Sequence, residues 1–374
     1  MRLLLEELLL HASGPFLEML QCWLFKGTFN DTEDEFMITA KGEDFELVTE
    51  NAPKILKDLA QKILDIGVYR SILKRYGENE NIAGLPLVYD RSRVASVILL
   101  VSQQVNRQMM NILKRDNNLF AHLLLVKHLY FLDHVDFAEN LLGIGAQELA
   151  KVSKDVSVRA LKDHLESAIG SSSLGHLLEI EQRVKCKLAP IPLIDQLLRI
   201  INSSFNPELK SVTNARGIDL ISIELNVDFP SNLVLTSKNL SKYELIFRFQ
   251  IALLDLYRQL QHGVALKPSK AINPLLQKLG IVRRCMFIFI QNIRHYLSYE
   301  VLEPRWLLFS KSIDQEGNEG GLDRIIGLHN DFIDTCLREC MLTNAKLVQL
   351  LSMVMSACGR FLSLQNEISR RIVH

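Results

Sequence analysis

The sequence has no net charge, because its 43 basic and 43 acidic residues cancel. A balanced chain gives no global reason to expect a nucleic acid or an anionic membrane as a partner. It also lacks apolar runs of the roughly 18 residues that a membrane-spanning helix requires. The longest runs, 94–101 and 285–290, are much shorter. We therefore expect neither nucleic acid nor membrane as a partner.

Cysteines are few and widely spaced, which argues against a disulfide framework and is typical of reduced thiols in a cytosolic protein. The N-terminal decapeptide is apolar, but Glu6 and Glu7 divide it, so an amphipathic helix is favoured over a signal peptide. The six cysteines are Cys22, Cys186, Cys285, Cys336, Cys340 and Cys358.

Motifs of catalysis are also missing: the sequence contains no nucleophile elbow and no phosphate loop. His128, Asp133, His134 and Asp136 are close in sequence, but at 100° per residue they cannot share one helix face. A structural role is favoured over a metal or acid–base role. We expect no enzyme activity and no cofactor.

Cys336, Cys340 and His329 do share one helical face, as zinc ligands could. A zinc site would need a fourth ligand, whereas burial of that face accounts for all three residues. The face is part of a regular three- and four-residue pattern, which predicts a buried helical stripe. Its members are Leu322, Ile325, Ile326, His329, Phe332, Ile333, Cys336, Leu337, Cys340 and Met341.

Helical periodicity is the main pattern in the sequence, and the composition, 48% apolar and 23% charged, is that of an ordinary globular protein. Ser241 and Glu244 form a capping-box pattern that predicts a helix start, and Gly67 is expected to end an earlier helix. Alternation over 221–229 predicts a strand, with 233–235 as its returning partner. The predicted fold class is mainly all-α, with one small β-hairpin in the C-terminal domain.

Glycine and proline among polar residues at 77–90 predict a linker. We therefore predict one domain over 1–76 and a second over 91–374. The helix predicted near 276–302 is apolar on almost every side, as in a bundle centre or against a partner.

Several arginines lie in this C-terminal part of the chain at regular intervals. Arg283, Arg294 and Arg305 recur at eleven-residue steps, and so drift by only about 20° per step around a helix. Each could extend to solvent or pair locally; together they could form an arginine-and-aromatic patch that contacts a protein. Arg248 and Arg258 on the preceding predicted helix complete this set of candidate contact residues.

Nine separated segments, in order, resemble the gamma-tubulin complex proteins, and Asp334–Asn344 points to the component 2 branch of that family. The segments are 23–38, 56–73, 127–137, 193–199, 227–235, 243–249, 289–297, 301–306 and 329–344. The resemblance implies an elongated stack of helical bundles with two gamma-ring-protein domains. The N-terminal domain, which makes lateral contacts, would be mostly missing, and 91–374 would bind gamma-tubulin.

The same resemblance implies a non-catalytic component that helps template microtubule nucleation at a centrosome or spindle pole body. Its expected partners are gamma-tubulin and a neighbour similar to component 3. The five arginines are then candidate gamma-tubulin contacts. The alternative is a helical scaffold or tethering subunit of another cytosolic complex, with the same composition and a different partner.

Overall fold

The computed structural model describes residues 2–28, 30–31, 35–41, 44–54, 56–75, 91–115, 119–176, 183–201, 215–261, 273–316 and 321–373. They form two compact units, Met1–Asn117 with Glu316–Ile325, and Asn118–Gln315 with Ile326–His374. Helices dominate both units, and each contains a two-stranded antiparallel sheet. The prediction of a mainly all-α fold is confirmed.

The first unit contains helices α1 (Arg2–Lys26), α2 (Ala60–Arg75) and α3 (Arg91–Arg115), with strands β1 (Ile38–Lys41) and β2 (Asp44–Leu47). The indole of Trp23 is fully buried and donates a 2.8 Å hydrogen bond to the carbonyl of Ile63. Gly67 was predicted to end this helix. It instead lies inside α2, against the Trp23 indole. A Cβ at Gly67 would lie 1.8 Å from the ring, so only glycine permits this close approach.

Helix α3 belongs to the first unit, because its buried side packs against α2. The sequence-based prediction places α3 in the second domain, 91–374. The predicted linker at 77–90 lies outside the described residues. Arg70 of α2 strengthens the α2–α3 packing: Nη1 donates to Gln108 of α3 over 2.9 Å. The buried apolar residues of α3 are Val94, Ile98, Val101, Val105, Met109, Met110, Ile112 and Leu113.

The second unit begins with α4 (Leu119–Tyr130), α5 (Val135–Ile144), α6 (Ala146–Leu149) and α7 (Val158–Gly170). Strand β3 (Val184–Leu188), α8 (Leu193–Ile201), α9 (Gly217–Leu220) and β4 (Ile221–Leu225) follow. Later helices are α10 (Ser237–Gln261), α11 (Asn273–His295), α12 (Glu303–Glu316), α13 (Gly321–Glu339) and α14 (Ala345–Val373). Helix α13 starts within the first unit and continues into the second.

Strand β4 confirms the predicted strand, but its predicted partner was wrong. β4 pairs with β3, with Val184 opposite Leu225 and Leu188 opposite Ile221. Residues Ser231–Leu233 form a 3₁₀ turn instead of a returning strand. The N–H of Leu233 donates to Pro230 and that of Val234 to Ser231, so these donors are used locally and cannot form a ladder.

Helix α10 is the centre of the second unit. It packs against β4, α4, α11 and α14, and its side chains are buried all round, which fits a core helix. It begins four residues before the predicted capping box, where Thr236 Oγ1 accepts a hydrogen bond from the N–H of Asn239. The predicted cap residue Glu244 instead accepts a hydrogen bond from the Ser222 hydroxyl of β4.

An aromatic cluster joins α4, α10, α12 and α13. The rings of Phe309 and Phe332 stack with centroids 4.6 Å apart, and Trp306 meets Phe332 edge-on at 6.0 Å. Phe131 contacts both Tyr243 and Phe332. Such pairs add about 0.5–1.5 kcal/mol each beyond their burial, so this cluster holds α12 and α13 against α10.

The expectation that the chain lacks a segment apolar enough to span a membrane is wrong for α14: Ala345–Ile368, with mean hydropathy 1.5, is the one described segment that is long and apolar enough to do so. Only 22% of its most apolar stretch is buried, and Leu350, Met353 and Leu364 are more than half exposed. A single helix of this kind is weak evidence for a membrane span.

Candidate protein-binding surface

The helix formed by α11, a π-helical segment (Tyr296–Leu302) and α12 has one face packed and one face open. On the packed face, Ile290 and Leu297 are fully buried, and Phe287 stacks on Tyr257 of α10 with centroids 4.9 Å apart. The sequence predicts this helix as apolar on nearly every side; the structure shows that only one side is covered.

The open face is apolar. Ile281 and Tyr299 are 64% and 68% exposed, and other large apolar residues recur between them at helical spacing. Exposed apolar side chains grouped along one helix are more informative than isolated surface leucines, because large exposed apolar patches mark interaction sites. We call it the exposed apolar face: Ile281, Val282, Ile288, Phe289, Tyr296, Tyr299, Leu307 and Leu308.

The π-helical segment lies in the middle of this face. The N–H of Glu303 donates to Ser298, five residues back, and the next residue is Pro304, which has no N–H for the regular α-helical bond. This π-helical turn therefore contains one residue more than an α-helical turn. Val301 and Leu302 remain buried and Tyr299 exposed. π-Helical turns are frequent at functional sites.

The five candidate arginines do not form one patch. Arg248 is only 3% exposed and its Nη2 donates to the carbonyls of Ile191 and Asp219, at 2.8 and 3.1 Å. Burial lowers the pKa of this guanidinium, and the nearby carboxylates of Glu244 and Asp219 oppose that effect. The prediction of Arg248 as an exposed contact residue is wrong, because it is a core residue that joins α8, α9 and α10.

Arg305 and Arg258 have partners within the fold. Arg305 forms a bidentate ion pair with Glu339 of α13, with Nε–Oε2 at 2.7 Å and Nη2–Oε1 at 2.5 Å. Hydrogen bonding to Glu339 raises the pKa of Arg305. Arg258 donates to the carbonyl of Glu139 over 3.2 Å. Both side chains are partly exposed, so their role as contacts stays a prediction.

Arg283 and Arg294 are also partly exposed. The guanidinium carbon of Arg294 lies 4.5 Å from the centre of the Tyr257 ring, in a cation–π contact. Burial lowers the pKa of Arg294, and the nearby Tyr257, Glu139 and Tyr299 partly offset this effect. Neither arginine forms an ion pair with a carboxylate in the part of the chain that the structure describes.

A pocket of about 480 Å³ borders the exposed apolar face, between the α4–α5 connection, α10 and the helix that carries the face. Tyr299 and His295 lie at its exposed edge, and Arg294 and Gln250 also line it. Gln250 is a polar residue at a buried position of α10, between Phe249 and Ile251.

The cluster of His128, Asp133 and His134 corrects another expectation. Helix α4 ends at Tyr130 and Leu132 takes a left-handed conformation, with φ of 51°. The chain therefore folds back, and one ligand atom from each of these three residues lies within 4.8 Å of the others. The helix-face argument against convergence was wrong, because the residues do not lie on one helix.

A cation of the chain itself lies beside Asp133 of this cluster. The Lys127 ammonium lies 3.4 Å from Asp133 and 2.8 Å from Glu303, and His128 Nδ1 lies 2.8 Å from Asp133. Burial raises the pKa of Asp133, but the His128 hydrogen bond and the nearby charges outweigh burial and lower it. The arrangement fits a structural network that joins α4 to α12.

His329, Cys336 and Cys340 are buried, as predicted. Both ring nitrogens of His329 have partners: Tyr243 Oη lies 2.9 Å from Nε2, and Asn239 Nδ2 lies 3.2 Å from Nδ1. Burial raises the thiol pKa of Cys336 and of Cys340, the latter to about 12. Burial of all three residues and the partners of both His329 ring nitrogens support a packing role.

The fold is that of a mainly helical chain with one candidate binding surface. A family model described as the gamma tubulin complex component C-terminal region matches residues 119–373, and the corresponding N-terminal model matches 1–116. The chain belongs to the gamma-tubulin complex component family. The two matches meet near Asn117, where the compact units first divide, and Glu316–Ile325 of the first unit lie within the C-terminal match.

Similarity to individual named proteins supports this family assignment. The chain is 27% identical to gamma-tubulin complex component 2 of Mus musculus, over 96% of this chain and 42% of the relative. It is 27% identical to spindle pole body component alp4 of Schizosaccharomyces pombe, over 99% and 57%. Identity to component 3 of Arabidopsis thaliana is 22%, over 90% and 42%. The chain thus spans about half the length of these relatives.

Proposed function

We propose that this chain binds gamma-tubulin through the exposed apolar face and thereby helps template microtubule nucleation. The observation that carries the proposal is the unpacked side of α11–α12, which lies within the match to the C-terminal family model. Burial of several large apolar side chains and tyrosines on one helix provides the core that stable protein interfaces require. The proposed action is assembly, without catalysis.

The proposed setting is a complex at a centrosome or spindle pole. It is supported by relatives that are named as gamma-tubulin complex and spindle pole body components. A second proposed partner is a neighbour similar to component 3. Co-purification with such a neighbour and with gamma-tubulin supports this assignment. Recovery with a different cytosolic complex that lacks gamma-tubulin supports the alternative of a helical tethering subunit.

The direct test is equilibrium binding of the full chain to purified gamma-tubulin, with and without charges on the exposed apolar face. Replacing Ile281 and Ile288 together by aspartate should weaken binding by about tenfold or more, since charged groups would then be desolvated at the interface centre. Both positions are well exposed, so folding should be retained.

Val158→Asp is the matched control, because Val158 is 49% exposed on α7, which does not form part of that face. It should bind as the unmodified chain does. Absence of binding by the unmodified chain at micromolar concentration contradicts the proposed partner. If the double variant binds as tightly as the unmodified chain, the contact lies on another surface.

A further inference from the structure

The turn after α4 brings three side chains with metal-binding groups together. His128 lies in the last turn of α4, whereas Asp133 and His134 lie between α4 and α5. One ligand atom from each lies within 4.8 Å of the others, and the two imidazole rings meet edge-on with centroids 4.4 Å apart. We call these three residues the histidine cluster. Two imidazoles and one carboxylate form a donor set that zinc and similar divalent metals prefer.

The backbone of this turn is strained. Leu132 takes a left-handed conformation, with φ of 51°, which is rare for a side chain as bulky as leucine. Strained residues of this kind concentrate at ligand-binding and other functional sites, where the surrounding structure maintains them. The strained residue turns Asp133 and His134 back towards His128, so the fold itself holds the ligand groups together.

The separations within the cluster suit an ion after small side-chain rotations. Metal–ligand bonds of about 2.0–2.2 Å place neighbouring atoms of a tetrahedral set roughly 3.4 Å apart. His128 Nδ1 lies closer than this to Asp133, at 2.8 Å, and all three ligand atoms lie within 4.8 Å. An ion therefore requires that His128 and Asp133 separate slightly while the third ligand approaches. The proton of the His128–Asp133 hydrogen bond is released, as metal ligation requires.

The cluster is accessible from solvent. The side chains of His128 and Asp133 are 14% and 25% exposed, and His134 is partly exposed. Asp133 also lines the pocket of about 480 Å³ beside the exposed apolar face. An ion thus has a path to all three ligands, and a water molecule can supply the fourth position that a site with three protein ligands leaves open.

The charges around the cluster favour a dication. Besides Asp133, the nearby carboxylates are Glu303, which contacts Lys127, and Asp136, which interacts electrostatically with His134. These three carboxylates face one ammonium, that of Lys127. They leave two negative charges in excess when the histidines are neutral, and a divalent ion offsets both.

Lys127 does not exclude the ion. Its ammonium lies 3.4 Å from Asp133, but it is closer to Glu303, at 2.8 Å. It also lies over the Trp306 ring, 5.5 Å from the ring centre. Lys127 can therefore lose its longer contact with Asp133 and keep the other two.

A second layer of hydrogen bonds orients His134. Its Nδ1 lies 2.9 Å from the hydroxyl oxygen of Ser173, and the N–H of Ser173 donates to Asp136 over 2.7 Å. This hydrogen bond from Ser173 holds the pKa of Asp136 below its ordinary value. Metal-binding histidines are held by such supporting partners, and loss of one weakens metal binding by about 10–100-fold.

We propose that His128, Asp133 and His134 bind one divalent transition-metal ion of the zinc class, with water completing the coordination. The proposal replaces the sequence-based preference for a structural role, because that preference rested on the helix-face argument that the turn at Leu132 removes. It goes beyond the proposed function, since the ion fixes the connection between α4 and α5 whether or not gamma-tubulin is the partner.

The test is titration of Zn²⁺ into the metal-free full chain, in competition with a chromophoric chelator. We expect one equivalent to bind, with affinity reduced at least tenfold in His128→Gln and in His134→Gln, and about tenfold in Ser173→Ala. His11→Gln is the matched control, because His11 is an exposed histidine of α1; it should bind as the unmodified chain does. Mg²⁺, which prefers oxygen ligands, should not compete.

Thermal unfolding shows whether the variants fold without metal. Zn²⁺ should raise the melting temperature of the unmodified chain and of His11→Gln, and leave that of His128→Gln unchanged, because only a bound ion stabilises the folded state. Equal affinity in all variants indicates an adventitious ion only and overturns the proposal. Absence of binding at one equivalent overturns it as well.

Bound Co²⁺ gives a measurement that needs no variant. We expect the strong visible absorption of a four-coordinate ion, with paramagnetic shifts of the His128 and His134 ring protons. The weak absorption of six-coordinate Co²⁺ without these shifts overturns the proposal, even if both histidine variants fail to fold.

Discussion

His329 is a titratable side chain in a fully buried position. Burial, together with the charge of Lys242, lowers its pKa from 6.5 to about 4, and a backbone hydrogen bond with Val234 acts in the opposite direction. The folded chain therefore holds a neutral ring, between Tyr243 and Asn239.

This pKa difference predicts how stability depends on pH. Between about pH 6.5 and pH 4 the unfolded chain binds a proton that the folded chain does not, so the free energy of unfolding falls as the pH is lowered. The difference between the two pKa values corresponds to a loss of about 3 kcal/mol, complete near pH 4. Denaturant unfolding at several pH values measures it.

His329→Gln removes the titrating group, so stability should change less between pH 6.5 and pH 4, although the variant starts from a lower value. His11→Gln is the control, because His11 is exposed on α1. The same pH dependence in both variants would mean that His329 is not responsible.

At the scale of elements, the Arg305–Glu339 pair ties α12 to α13. Sequence periodicity places Arg305 in a row with Arg283 and Arg294, but the π-helical segment changes the helical register before Arg305. Tertiary packing then brings Glu339 within hydrogen-bond distance.

Arg305→Glu should therefore destabilise the fold, because it places two carboxylates together, at a cost of about 1 kcal/mol for this partly exposed pair. The charge exchange Arg305→Glu with Glu339→Arg should restore most of the loss. The melting temperature is the measurement. If the single variant melts as the unmodified chain does and only partner binding changes, Arg305 acts as a contact residue.

For the whole molecule, the two units have different expected roles, and hydrogen exchange distinguishes them. Bound gamma-tubulin should slow amide exchange over 281–308, where the backbone carries the exposed apolar face. Exchange within α2 of the first unit should stay unchanged, because α2 carries no part of that face. Protection limited to the first unit would contradict the proposed surface.

Several features of the fold could be predicted because they depend on local periodicity. The buried face of α13, with His329, Cys336 and Cys340, follows from three- and four-residue spacing, and β4 follows from two-residue alternation. The family could be predicted as well, since it rests on the order of short segments along the chain.

Other features depend on contacts between residues far apart in sequence, which no local pattern contains. Strand β3, the partner of β4, lies more than thirty residues before it, and the burial of Arg248 depends on carbonyls from two other segments. Asp133 converges with His128 only because Leu132 turns the chain back.

The amino-acid sequence by itself determined the helical class, the family and the faces that helices bury, because these follow from spacing along one chain segment. Only the tertiary structure decided which face of α11–α12 stays open and which candidate arginines have partners within the fold. These are properties of packing: a side chain is a contact residue only where neighbouring elements leave it uncovered and unpartnered.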